Sequence, residues 1–158
     1  MHAIRLAAGL AVLGLLAACG PQAPQGIDKE KLDEAVSRAI GDPASCLLIA
    51  EQATGKQVYR YNTHTACDRK LPACDAPRQR TLDQLLEATL KDGKPRLLSC
   101  RSVSDASRWV GWASGAVAGP RGQPLVYAAM MEGDRAFPGR MMAERLEGRF
   151  QDVGLKPR

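Results

Sequence analysis

The chain has 158 residues, 45% of them hydrophobic and 25% charged, which is the usage of one ordinary folded domain and excludes wholesale disorder. Aromatic residues make up only 4%, so the core is expected to be aliphatic, and stacking platforms for single-stranded nucleic acid are scarce. The 22 Lys plus Arg against 17 Asp plus Glu give a net charge of +5, scattered without a basic arm or stripe, so no nucleic-acid partner is expected.

Residues 1–18 have the layout of a secretory signal. His2 and Arg5 form a basic start, and Ala7 to Leu16 an apolar stretch too short to span a bilayer stably. The run ends Leu16-Ala17-Ala18-Cys19, which resembles the bacterial lipobox. There a Cys thiol carries a diglyceride, the small residues before it fit the peptidase, and the new N-terminus is acylated. An Ala-Ala pair also suits ordinary signal peptidase, which would give soluble secretion. Gly20 stands where an inner-membrane retention signal usually has Asp, so the resemblance implies lipid anchoring through Cys19 on the periplasmic face of the outer membrane. Residues 19–26 read as an extended Pro-rich tether, with the folded domain over 27–158.

Asp28 is placed to cap a helix whose apolar positions Leu32, Ala35, Val36, Ala39 and Ile40 make one buried stripe, stopped by Gly41. Cys46 to Ala50 is a short apolar strand covered on both faces; Ala53-Thr54-Gly55-Lys56 is a turn, and Val58, Tyr59 and Tyr61 complete a hairpin. Residues 62–80 hold three Arg, two Pro and two Cys without periodicity and read as a loop. Thr81 and Gln84 form a capping box, opening a helix with Leu82, Leu85, Leu86, Thr89 and Leu90 inward that ends near Gly93. Arg96 to Cys100, Trp109 to Val117 and Leu125 to Met131 read as strands, with a turn at Gly119 to Gly122. A last helix follows Pro138, with Met142, Leu146 and Phe150 on one stripe. The fold class expected is α/β, an α+β sandwich with an antiparallel sheet of about four to five strands and the N- and C-terminal helices packed on it.

Three stretches resemble the serine β-lactamases of class D and the related penicillin-binding proteins. The hairpin is followed by Tyr61-Asn62 and then by Ala66-Cys67-Asp68-Arg69-Lys70-Leu71-Pro72-Ala73-Cys74-Asp75-Ala76-Pro77, where the family has Leu-Pro-Ala-Ser-Thr-Phe-Lys opening a helix. Trp109-Val110-Gly111-Trp112 resembles the strand after the family's Lys-Thr-Gly. Met131-Glu132-Gly133-Asp134, Pro138-Gly139-Arg140 and the last helix resemble its C-terminal end. The similarity spans roughly residues 45–152 and rests more on element order than on any one motif.

The departures fall on the catalytic positions. The family's serine acylates because a lysine one turn later takes its proton. Here Cys74 holds the serine position and Pro77 the lysine position, and Ser99-Cys100-Arg101-Ser102-Val103 stands where Lys-Thr-Gly is expected. The resemblance therefore implies a reduced relative without the acylation motif: a non-catalytic envelope lipoprotein that binds peptidoglycan or an envelope protein. The enzyme alternative is a thiol acyl hydrolase or transpeptidase using Cys74, with His64 as base, since a catalytic thiol needs a base or cation beside it. A third reading is a structural lipoprotein that tethers a partner complex.

With Cys19 lipidated, Cys46, Cys67, Cys74 and Cys100 remain, an even number in an oxidising compartment, which implies two bridges. Spacing alone favours Cys67–Cys74 and leaves Cys46–Cys100. The resemblance implies instead Cys46–Cys67 across the open end of the hairpin and Cys74–Cys100 across the former active site, because the serine and Lys-Thr-Gly regions face each other in the family. No C-x-x-C pair exists, so neither a metal nor a cofactor is expected. Ser102, Ser104, Ser107 and Ser114 lack partners at recognisable spacing. Arg69, Arg78 and Arg80 read as a solvated basic loop. Trp109 and Trp112, three apart on a strand, fall on opposite faces, one of them free for a glycan or protein partner. Met130, Met131, Met141 and Met142 read as core.

Overall fold

The computed structural model describes residues 23–158. The signal over 1–18 and Cys19 lie outside the described residues.

Asp28 accepts a hydrogen bond from the Lys31 amide (3.0 Å) and opens α1 (Lys29–Ile40), whose buried residues are Leu32, Ala35, Val36, Ala39 and Ile40. Then come β1 (Ser45–Glu51) and β2 (Gln57–Tyr61), joined by a turn. The stretch 62–80 is not wholly irregular: it contains the one-turn helix α2 (His64–Cys67) and a two-residue ladder of β3 (Leu71–Pro72) and β4 (Gln79–Arg80). The Thr81–Gln84 capping box opens α3 (Leu82–Asp92), which Gly93 closes in the left-handed conformation (φ 68°) that glycine tolerates. The chain continues through β5 (Arg96–Arg101), β6 (Trp109–Ala118), β7 (Pro124–Gly133), α4 (Gly139–Asp152) and β8 (Lys156–Pro157).

The class is mixed α+β: a six-stranded antiparallel sheet of order β2-β1-β7-β6-β5, with the short β8 pairing β6 where β5 leaves its edge free. Strand alternation sends residues to two cores. Leu47, Ile49, Ala113, Val117, Leu125, Tyr127 and Ala129 face α1 and α4; Cys46, Leu48, Val110, Trp112, Val126, Ala128 and Met130 face α3 and the 62–80 segment. The central strands β1 and β7 are thus covered on both faces, which explains their unbroken apolar runs. Buried hydroxyls find partners: the Tyr59 hydroxyl donates to Asp33 (2.7 Å), and the Thr89 and Ser114 hydroxyls meet at 2.7 Å beneath α3.

Three readings need correction. Residues 24–26 do not extend; they form a turn in which the Ile27 amide donates to the Pro24 carbonyl (3.0 Å), and Pro24 is buried, so the folded part reaches back before Ile27. Met141 is 44% exposed, because the stripe of α4 runs through Met142, Leu146 and Phe150 and turns its neighbour outward. The basic loop is not solvated throughout, since Arg80 is buried and Arg69 is engaged by a carboxylate described below.

The start of α4 lies directly on the sheet. A Cβ at Gly139 would fall 2.2 Å from the Trp112 carbonyl oxygen and 2.6 Å from the Leu98 backbone. An exposed helical Gly→Ala change usually stabilises by up to about 1 kcal/mol. Gly139→Ala is expected to do the opposite, destabilising by about 2–3 kcal/mol because backbone must move. A urea titration beside Gly148→Ala, where a Cβ meets nothing within 4 Å, checks the sign.

Candidate functional site

One end of the sheet, on the α3 face, gathers every cysteine among the described residues and a buried carboxylate. Cys46 opens β1 and Cys67 ends α2; they form a disulfide with Cα atoms 5.3 Å apart. Cys74, in the turn between β3 and β4, is joined to Cys100 of β5 with Cα atoms 5.4 Å apart. The connectivity is therefore not the Cys67–Cys74 pairing that spacing favours. The first bridge is buried, at 0% and 3% exposure, while both halves of the second are partly exposed.

Four hydrogen bonds besides the disulfide hold the Cys74 turn. The Trp112 indole Nε1 donates to the Pro72 carbonyl (2.8 Å), the Ala73 amide donates to the Arg78 carbonyl (2.9 Å), and Arg80, 4% exposed, reaches both oxygens of Asp75. Cys74 itself has φ 65°, a left-handed backbone uncommon outside glycine and asparagine, and this tethering maintains it. No helix opens at Cys74; α3 begins at Leu82.

Beside the bridge, Glu132 near the end of β7 is 5% exposed and saturated. Its Oε1 accepts from Arg108 Nε and Ser102 Oγ (both 2.8 Å), and its Oε2 from Arg108 Nη2 and Arg69 Nη2 (both 2.7 Å). The bidentate Arg108 fork, helped by Arg69 and Ser102, holds the Glu132 carboxyl down at about 2, and the same pairing raises Arg108. A carboxylate so weakly basic is a poor general base at neutral pH; it works as a clamp joining β7, the β5–β6 connection and the 68–80 segment.

His64 is exposed at the start of α2, where its Nδ1 accepts from Arg60 (2.9 Å). It stands one turn from Cys67, whose sulfur is committed to Cys46. Cys74, bonded to Cys100, offers no thiolate for a base to generate, so the Cys74–His64 pair is not assembled in this state. Ser102 has a partner after all in Glu132, Ser107 in Asp105 (2.7 Å) and Ser114 in Thr89; these partners sit on other elements or in turns, where spacing gives no sign of them. Among the described residues no group of His, Cys, Asp and Glu is arranged to hold a metal ion, and no helix is long and apolar enough to cross a membrane.

No family model, curated protein or solved structure matches the chain. The site is therefore defined by its own geometry: a covalently closed turn, a neutralised carboxylate and, around the corner of the sheet, an exposed apolar edge. Trp112 is fully buried while Trp109 is 42% exposed and lies under the Arg101 guanidinium, 5.7 Å from the ring centroid. Leu97, 41% exposed on the same face of β5, extends that surface.

Glu132 was missed by sequence reasoning, although a signal exists. The unbroken apolar run of β7 marks a strand covered on both faces, and Glu132 continues it on the face of Val126, Ala128 and Met130. A charge in such a strand implies cations supplied from elsewhere. The clamp also sets a pH dependence. A carboxyl lowered from 4.5 to about 2 on folding stabilises the fold fully above pH about 4.5, and that stability is lost as pH falls toward 2. Its size is about 3 kcal/mol, at 1.36 kcal/mol per unit. Glu132→Gln is expected to flatten the stability profile between pH 4.5 and 2 and to lower stability at pH 7. Urea midpoints across that range measure both; an unchanged slope would remove the clamp from the account.

Proposed function

We propose that the chain is a cell-envelope lipoprotein, anchored through Cys19 to the periplasmic face of the outer membrane, whose domain is a reduced relative of the penicillin-binding proteins and binds a partner instead of turning over a substrate. The observation that carries this reading is the Cys74–Cys100 disulfide. It joins the two stretches that the resemblance assigns to the acylating serine and to Lys-Thr-Gly. A sulfur in a disulfide cannot attack an acyl carbon, and Pro77 supplies no amine to take a proton. The neighbouring carboxylate is neutralised by Arg108 and Arg69.

The binding role rests on the β5 edge. Its outer side is unpaired in the sheet order, and the half-exposed Trp109, Arg101 and Leu97 offer stacking, charge and apolar area to a peptidoglycan strand or an envelope protein.

Two measurements on the mature protein test the reading together. A fluorescent penicillin is expected to leave no covalent adduct, and non-reducing peptide mass spectrometry to find all four cysteines paired. An adduct abolished by Cys74→Ala, or a Cys74 thiol that alkylates rapidly at neutral pH, would replace the binding module by a thiol acyl-transfer enzyme. Co-sedimentation with purified sacculi, weakened severalfold by Trp109→Ala, would name the ligand class.

A further inference from the structure

The opposite end of the sheet is built differently, and the chain enters the domain there. The Gln123 side chain donates to the Gln25 carbonyl (2.9 Å), and a Cβ at Gly26 would touch Pro120 at 3.7 Å, so residues 24–27 are fastened to the β6–β7 turn. A cavity of about 210 Å³ lined by Pro24, Gln25, Glu51, Ala53, Val58 and Gln123, among others, joins this entry point to the β1–β2 turn. Leu90 of α3 comes within 3.8 Å of a Cβ placed at Gly55, and Lys156 pairs with Ala118, so the end of α3 and the last residues of the chain sit at the same end.

This end is rich in cations. Lys56, Lys94, Arg121, Lys156 and Arg158 are exposed and have no carboxylate partner among the described residues. Of the acidic groups nearby, Asp92 and Asp152 are paired with Arg96 (2.8 Å) and Arg149 (3.4 Å). Glu51, which accepts from Thr54 (2.8 Å), Asp28, which caps α1, and Glu30 keep their charges, so the five cations outnumber three unpaired carboxylates. At the other end Arg69 and Arg108 are paired with Glu132 and Arg80 with Asp75. Lys70, Arg78, Arg101 and Arg135 are exposed there without a carboxylate partner among the described residues, so what sets the first end apart is that the chain enters there.

We propose that this basic end is a membrane-facing surface, with Lys56, Lys94, Arg121, Lys156 and Arg158 against anionic phospholipid headgroups. The orientation rests on the reading of Cys19 as the lipid anchor. Whatever path residues 19–22 take, four peptide units reach at most about 14 Å, so a lipid on Cys19 holds residue 23 within that distance of the headgroups, with the β6–β7 turn fastened two to three residues further along the chain. Lysines and arginines so placed each strengthen association with an anionic surface roughly fivefold, within a Debye length of about 8 Å in physiological salt. Ten-residue strands then hold the Cys74–Cys100 end about 30 Å farther out.

The test uses the full mature protein on vesicles of phosphatidylcholine alone or mixed equally with phosphatidylglycerol. Flotation in high salt, with the mass of the N-terminal peptide, reads the anchor. Amide hydrogen exchange in the turns at 52–56 and 119–123 reads the surface. The expected result is severalfold slower exchange in both turns on the anionic vesicles, unchanged exchange at 131–135, and loss of the effect in high salt or in Lys56→Glu/Arg121→Glu/Lys156→Glu. Anchored protein with equal exchange on both vesicles, or with protection at 131–135 instead, overturns the surface and leaves the anchor standing. Protein without lipid that still binds anionic vesicles through these residues overturns the anchor and supports the surface. Protein that has neither lipid nor affinity for the vesicles, or that sediments with sacculi through these same cations, overturns the proposal.

Discussion

Trp112→Ala is expected to cost about 4–5 kcal/mol and to lower the melting temperature by roughly 15 °C. The indole is fully buried on the α3 face of β6, so alanine leaves a cavity among Leu48, Leu82, Leu85 and Met130, all of them in the same core. The substitution also removes the donor that holds the Pro72 carbonyl at 2.8 Å, freeing the β3–β4 ladder from the sheet. Trp112→Phe separates the two contributions: it keeps much of the volume and loses the hydrogen bond, for an expected cost of about 1–2 kcal/mol. Guanidinium unfolding followed by circular dichroism measures both. A cost for Trp112→Ala near that of Trp112→Phe would mean that the 71–80 segment closes over the cavity by itself.

The second large effect concerns the disulfides. Cys46→Ala/Cys67→Ala and Cys74→Ala/Cys100→Ala remove links of sequence separation 21 and 26, so the entropy each withholds from the unfolded chain is nearly the same, about 3 kcal/mol. Their native environments differ. The first pair leaves voids at fully buried positions, whereas the second sits at a partly exposed edge and, once removed, lets residue 74 leave a left-handed backbone. The first double variant is therefore expected to be the less stable by about 1–2 kcal/mol. Graded dithiothreitol with alkylation mapping should find Cys74 and Cys100 labelled before Cys46 and Cys67. Simultaneous labelling would show that global unfolding, and not local access, governs reduction.

The parts of the fold that were legible are those whose signals are local. The α1 stripe, the β1–β2 hairpin and the Thr81–Gln84 capping box are each written within a few neighbouring residues, and each element forms where those residues stand. The 62–80 segment carries no period, because α2, β3 and β4 are too short to have one and are held by bonds to distant elements: Cys67 to Cys46, Pro72 to Trp112, Cys74 to Cys100. The Glu132 clamp is the extreme case. Its arginines lie 63 and 24 positions away, so a buried charge could be suspected from the apolar run of β7 but its partners could not be named. Arg80 illustrates the same limit, since nothing about a loop arginine announces that it folds inward onto Asp75.

The two covalent loops, 46–67 and 74–100, leave α1 and α4 outside them, on the face of the sheet that packing alone secures. This has a mechanical consequence. A pull applied at the N-terminal side enters at the Pro24 turn and loads α1 first, in a direction that peels it from α4 and from the sheet. Extension can run to Ser45, where β1 begins. At Cys46 it meets the first disulfide, and the segment up to Cys67 cannot lengthen under load. Stretching by an optical trap should therefore show a short early release of about 20 residues, followed by a stiff core that yields only at higher force, and the early release should survive while the core softens when the protein is pulled under reducing conditions.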